Sequence, residues 1–382
     1  MNEEKKRILE MVESGLITAK EALTLLEALE KEGTQQNQTT DPLPDVPIAF
    51  TTTENNKQSR SSQSSQSANA PRDKFFQFVQ TAIQKLKDFD LPLGKGAEFV
   101  HVYKEDDFVP ERIKIELANG NVAIKPWDEK GIKAECRVKV YGADNEEQAR
   151  ESFIRNSVFY AREKKLTLST GLKLMKTDVD LYLPAAVYEE LSAKLFNGSF
   201  ELRDAEMKQL DIKTANGKID VKRVKAEELE AETGNGQIYL VECDGRKVEA
   251  STVNGTVHVV GNVQEVDIKS FNGNVLCHAK NEDVRTIKSQ AVTGNIELYV
   301  PETIGVKGRM RTNLGSLHLP VSGFRTIASK EEMVQKQIQF ESEQQLDQTL
   351  HIDTETRSGS VFLKTYHSFD QEQEGTADVT KE

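Results

Sequence analysis

The chain has 382 residues, 29% of them charged and 37% hydrophobic, with a formal net charge of −12 at neutral pH. This composition suits a soluble protein with a sizeable core, and the length allows two or three domains. The acidic balance repels a phosphate backbone and no basic patch offsets it, which excludes nucleic acid as a partner; no run of about 18 apolar residues is present to span a bilayer.

The start, MNEEKKRILEM, has no apolar h-region or cleavage site, so the expected location is cytoplasmic. Residues 1–32 read as a small helical hairpin. Ile8, Leu9 and Val12 share one face, Gly15 stops the first helix, and Thr18 with Glu21 forms a capping box for the second. The second helix carries Leu23, Leu26 and Leu29 on a face that a hairpin of this size cannot bury by itself. That face is expected to dock on a partner or on a second copy of the chain.

Residues 33–70 are rich in Gln, Asn, Ser, Thr and Pro and read as a disordered linker spanning on the order of 35 Å. Residues 71–90 then read as an amphipathic helix. Phe75, Phe76, Val79, Ile83, Leu86 and Phe89 fall in one arc with lysines at its flanks. The layout fits a helix lying in a membrane interface, but the low net local charge favours a cap on the end of the next domain.

From residue 98 the pattern becomes alternating: Ile113, Ile115 and Leu117, then Val122 and Ile124, then Ile132, Ala134, Cys136, Val138 and Val140. A helix is predicted at 144–153 and a strand at 179–184. A repeat follows. Gly198, Gly217, Gly236 and Gly255 are each 19 residues apart, and Gly273, Gly294 and Gly315 continue at spacings of 18, 21 and 21. Apolar residues stand two and four places after each glycine, and alternating apolar or small residues precede it. At about 3.3 Å per residue, 19 residues trace roughly 60 Å, enough for two strands and two corners. The predicted fold is mainly β: a single-stranded β-solenoid over 98–367 with coils of about 19 residues and two strands each, preceded by the small helical hairpin. An antiparallel sandwich of Asn-Gly hairpins explains the turns but not the fixed period.

Asn and Gly suit the corner because they accept positive φ, and stacked Asn and Thr side chains can hydrogen-bond from coil to coil. Gly120 and Gly359 mark an early and a late coil. Between Leu319 and Leu350 a polar insertion is expected, with a helix near SKEEMVQKQI, and 368–382 reads as a disordered acidic tail.

The hairpin sequence EEKKRILEMVESGLITAKEALTLLEAL resembles the N-terminal SHOCT-like module of the YvlB- and LiaX-type proteins of Gram-positive bacteria, and the repeated NGxIxV turns resemble the DUF4097 adhesin-type domain. The resemblance implies a link to cell-envelope stress systems and to a PspC-like membrane partner. It implies no catalytic residues.

Local chemistry is sparse. Cys136, Cys243 and Cys277 form no C-x-x-C pair and read as small hydrophobes. The histidines, His101, His258, His278, His318, His351 and His367, lack metal-ligand spacing, so no metal and no cofactor is expected. Glu201 and Asp220 fall on neighbouring coils, as a carboxylate pair of a carbohydrate-active β-helix enzyme would, but without a cleft. The phase of the repeat points Tyr239, Val241, His258, Val260, Leu276, His278 and Tyr299 outward from consecutive coils, a candidate partner face bordered by Asp220 and Lys222. The insertion at 322–349 or the 71–90 helix is an alternative cover for that face. The expected function is a non-enzymatic binding or scaffold protein, cytoplasmic and peripheral to the membrane, with a β-helix enzyme or a surface adhesin as alternatives.

Overall fold

The computed structural model describes residues 96–366, except 173, 333, 334, 345 and 347. The hairpin, linker, 71–90 helix and acidic tail expected from the sequence lie outside the described residues. Twenty-two strands and one helix, Glu146–Asn156, make up the described chain. The helix opens on Asn145, whose side chain accepts from the Gln148 backbone N–H, and it buries Ala149 and Phe153.

The repeat produces stacked coils. Phe200–Asn216, Ile219–Asn235 and Ile238–Asn254 are each continuous 17-residue strands that bend at a corner. They pair in parallel at an offset of 19, as in Leu210 with Leu229 and Leu229 with Val248. The residues before each turn glycine form one sheet, here the leading sheet, and those after it form a second, the trailing sheet. Apolar side chains of both fill the space between them, including Phe200, Ile219, Leu240, Ile268 and Leu298. Parallel pairing throughout the repeat excludes the hairpin sandwich.

The turn glycines stack into a column, and crowding there explains their recurrence better than φ does. A Cβ on Gly217 would meet the Gly198 carbonyl oxygen at 1.9 Å, and one on Gly236 would meet the Gly217 oxygen at the same distance. Gly217 has φ +159, at the boundary of the glycine-favouring region, so steric contact between coils is the general requirement. The opposite corner tolerates side chains. Asp204, Arg223 and Glu242 sit there in the left-handed region, at φ 54, 53 and 55.

Polar ladders run beside the glycines as the repeat predicts. Asn197, Asn216, Asn235, Asn254 and Asn272 each donate from Nδ2 to Oδ1 of the asparagine one coil back, at 2.7–2.9 Å. Buried Thr214, Thr233 and Thr252 donate to the carbonyls of Gly198, Gly217 and Gly236 at 3.0 Å. These bonds satisfy backbone oxygens that the core would otherwise strand without a donor.

Both ends depart from chain order. The coil of residues 112–127 lies between those of 165–184 and 187–204. At the other end Thr349–Ser358 and Val361–Tyr366 lie between the Gly294 coil and the Gly315 coil, so the glycine column runs 294, 359, 315. Antiparallel strands then extend the trailing sheet at the first end, through Gly131–Tyr141 and Gly96–Asp106.

The helix expected near SKEEMVQKQI is instead part of an antiparallel hairpin of Phe324–Glu332 and Gln335–Ser342, added to the leading sheet beside Gly305–Leu314. Ile338 and Phe340 alternate with polar residues on the second strand, and Phe340 is fully buried. Its ring comes within 3.0 Å of where a Cβ of Gly308 would lie, so Gly308 leaves the room that Phe340 fills. Burial of that period-two face outweighs the helical propensity of the polar run.

Candidate functional site

Residues three and five places after each turn glycine point out from the trailing sheet, and the parallel register aligns them in two columns. One runs Glu201, Asp220, Tyr239, His258, Leu276, Glu297 and Phe362, ending at His318. The other runs Arg203, Lys222, Val241, Val260, His278, Tyr299 and Lys364. All seven residues expected on the partner face occupy this surface. Six are half-buried; Val260 is only 9% exposed, shielded between its registered neighbours Val241 and His278.

The result is one ring on each of six consecutive coils: Tyr239, His258, His278, Tyr299, Phe362 and His318. Tyr239 meets His258 at 6.0 Å between centroids, His278 meets Tyr299 at 5.5 Å, and His318 stacks on Phe362 at 4.5 Å. Tyr366 packs edge-on to His278 at 4.6 Å and donates from its hydroxyl to the Ala279 carbonyl at 2.6 Å. Lys364 donates to Glu297 and to the Tyr299 hydroxyl, both at 2.8 Å, and lies over the Tyr299 ring at 4.8 Å. Its hydrogen bond and charge hold the Glu297 carboxyl below its ordinary range. Burial lowers the His258 pKa, so its imidazole is neutral at neutral pH.

Phe362, Lys364 and Tyr366 were not expected on this face. Phe362 and Lys364 stand three and five places after Gly359, as Tyr239 and Val241 do after Gly236, so their outward phase is legible in the sequence; Tyr366, seven places after, corresponds to buried Cys243 and is not. Nor is the place of these residues in the stack, because the Gly359 coil is inserted out of chain order. Among the described residues, the 322–349 segment pairs on the leading sheet, through Gln335–Ser342 beside Gly305–Leu314.

Glu201 and Asp220 are registered neighbours, as expected, but each is held by cations. Glu201 pairs with Arg203 at 2.6 Å, and Asp220 pairs with Lys218 at 2.7 Å and Lys222 at 3.7 Å. Burial pushes the thiols of Cys136, Cys243 and Cys277 up to about 12, which makes them poor nucleophiles at neutral pH. Among the described residues no three His, Cys, Asp or Glu side chains are grouped to hold a metal. His101 packs against Tyr103 and Phe153 rather than facing a site, and His351 is exposed on the leading sheet. Phe75, Phe76, Val79, Ile83, Leu86 and Phe89, with Leu23, Leu26, Leu29 and His367, lie outside the described residues.

The leading sheet carries a second feature that the sequence reading passed over. Lys213 reaches Glu230 at 2.8 Å, Glu232 at 3.4 Å and Asp211 at 3.7 Å. Glu230 and Glu232 also line a groove of about 260 Å³ with Val253, Asp267, Lys269 and Phe271. The alternation of the strands marks these positions as outward, but the clustering depends on register across four coils.

Residues 110–361 match the Toastrack DUF4097 family, and residues 3–34 match a SHOCT-like domain. The uncharacterized protein YvlB of Bacillus subtilis strain 168 is 40% identical over 372 residues, covering 95% of this chain and 99% of its own. Similar solved structures include two crystal structures named "putative adhesin". That from Bacteroides fragilis is 12% identical, with a TM-score of 0.40 over 70% of this chain and 97% of its own. That from Parabacteroides distasonis is 14% identical, with a TM-score of 0.40 over 71% and 98%.

Proposed function

Because the chain belongs to the Toastrack DUF4097 family and matches a SHOCT-like domain at residues 3–34, we propose that it is a non-enzymatic binding and scaffold protein of the bacterial cell-envelope stress response. The coil stack is a β-solenoid that offers its ring-bearing face to a protein partner, and the N-terminal hairpin supplies a second site, for the same partner or for self-association. The observation that carries this reading is the run of six rings on consecutive coils, with the charged coil of Asp220 and Lys222 at one border. A half-exposed aromatic surface with a polar rim is the usual chemistry of a protein contact.

The partner is a PspC-like membrane protein, and the chain works from the cytoplasm at the membrane periphery. Among the described residues no helix is long and apolar enough to cross a membrane. Two weak sites joined by a linker of about 38 residues raise the local concentration of the second once the first is bound, so loss of either costs more than its own affinity. The test is binding of the purified chain to a purified PspC-like protein in lipid nanodiscs. Deletion of residues 1–32, or Tyr299→Ser together with Leu276→Ser, is expected to weaken binding at least tenfold while the strand signal in circular dichroism is kept. Undiminished binding by both variants contradicts the division of labour.

A further inference from the structure

We propose that residues 349–366 form a removable coil, and that the two coils flanking it close on one another when it leaves. This coil is inserted between segments that precede it in the chain. Thr286–Thr293 and Ile296–Pro301 bound it on one side, and Gly305–Leu314 and Leu317–His318 on the other. Only residues 302–304 join those two sides. Four peptide steps reach at most about 14 Å, enough for two strand spacings of about 4.8 Å or for one.

The two sides are complementary to each other as well as to the insert. Ser289 faces Thr354, which in turn faces Met310; likewise Ala291, Thr356 and Thr312, and Thr293, Ser358 and Leu314. Without the insert, Ser289 would face Met310 at an offset of 21, the offset at which Val266 already pairs with Ile287 one coil earlier. The polar bonds have counterparts too. Thr356 donates to the Gly294 carbonyl at 2.9 Å, and Thr312 makes the same bond to Gly359 at 2.8 Å. The Gly294 N–H donates to Ser358 and the Gly359 N–H to Leu314, so Leu314 can take the place of Ser358. The coil of residues 112–127 is also out of order, but it continues into Gly131–Tyr141, which is paired on both edges. Among the described residues no strand follows Val361–Tyr366.

Backbone pairing on both edges and the buried side chains of Leu350, Ile352, Val361 and Leu363 hold the insert, and charge adds to that hold. Asp353 accepts from Arg309 at 3.0 and 3.3 Å, and Glu355 pairs with Arg311 at 2.9 Å. Removal would set Lys288 directly against Arg309, a like-charge neighbour pair that disfavours closure. Glu302 adds a clasp by accepting from the Thr365 hydroxyl at 2.9 Å. The device therefore has two arrangements of the same rims with an ionic latch between them. Release would also remove Phe362, Lys364 and Tyr366 from the ring-bearing face. That consequence rests on the proposed function, whereas the switch itself does not.

Disulfide trapping in the full chain tests it. Ser289 and Met310 are two strand spacings apart, beyond the separation a disulfide can bridge, and become neighbours only on closure. A Ser289→Cys, Met310→Cys variant under mild oxidation is expected to accumulate the 289–310 crosslink, mapped by mass spectrometry. Adding Asp353→Asn and Glu355→Gln should raise its rate severalfold. A Ser289→Cys, Thr354→Cys variant reports the inserted state and should suppress release once oxidised. Ala291→Cys with Thr312→Cys repeats the measurement should the change at Met310 disturb folding. A chain that stays folded and forms neither spanning crosslink over many hours, even with the latch weakened, overturns the proposal. Because no partner is present, this result is independent of whether the ring-bearing face binds one.

Discussion

A methyl group at Gly217 would lie 1.9 Å from a backbone oxygen of the coil below, and backbone cannot move aside as a flexible side chain can. Gly217→Ala is therefore expected to cost about 3 kcal/mol or more in chemical denaturation, while Glu242→Gly, at the permissive corner with φ 55, should stay within about 1 kcal/mol of wild type. Similar losses at both positions would count against the stacking explanation. Glu232 gives a pH prediction. Burial raises its carboxyl from 4.5 to about 7, with Lys213 opposing the rise and Glu230 adding to it. Between those values the folded chain keeps a proton that the unfolded chain has lost, so stability falls as pH rises through this window and stays lower above it. Glu232→Gln should flatten that fall and stabilise the protein at pH 8 by on the order of 1 kcal/mol, with little change at pH 4. Parallel stability curves for the two proteins would rule out Glu232 as the source.

At the scale of the element, the ladders separate by exposure. Thr233 is fully buried and is the donor to the Gly217 carbonyl, whereas Asn254 is exposed, where water can replace its partners. Thr233→Val should thus cost more, about 1–3 kcal/mol, than Asn254→Ala, at about 1 kcal/mol, although the asparagine loses two side-chain bonds. A thermal melt that reverses this order contradicts the assignment. The coil itself was legible because one short rule repeats: a glycine, two inward residues after it, three before it. The hairpin at 324–342 was not. Its polar composition suggests a helix, and only the space left by Gly308 explains why Ile338 and Phe340 alternate instead. Nor does local pattern reveal coil order at the ends, since Gly315 follows Gly294 by the same 21 residues that separate Gly294 from Gly273.

For the molecule as a whole, the repeat turns sequence phase into surface address. The seven residues expected on the partner face lie together because each sits at a fixed distance from its glycine, and Phe362, Lys364 and Tyr366 complete the face because a later coil is inserted among earlier ones. The opposite face, with Glu249 and Ser251, is charged and among the described residues carries no comparable run of rings, so the two sheets give an internal comparison. The most direct measurement is photo-crosslinking in living cells under envelope stress, with a photoreactive residue placed singly at Leu276 or Tyr239 on one face and at Ser251 or Glu249 on the other. The account predicts a discrete crosslinked partner from positions 276 and 239 and none from 251 and 249. Crosslinks confined to 251 and 249, or absent from both faces while the chain is folded and expressed, would contradict it.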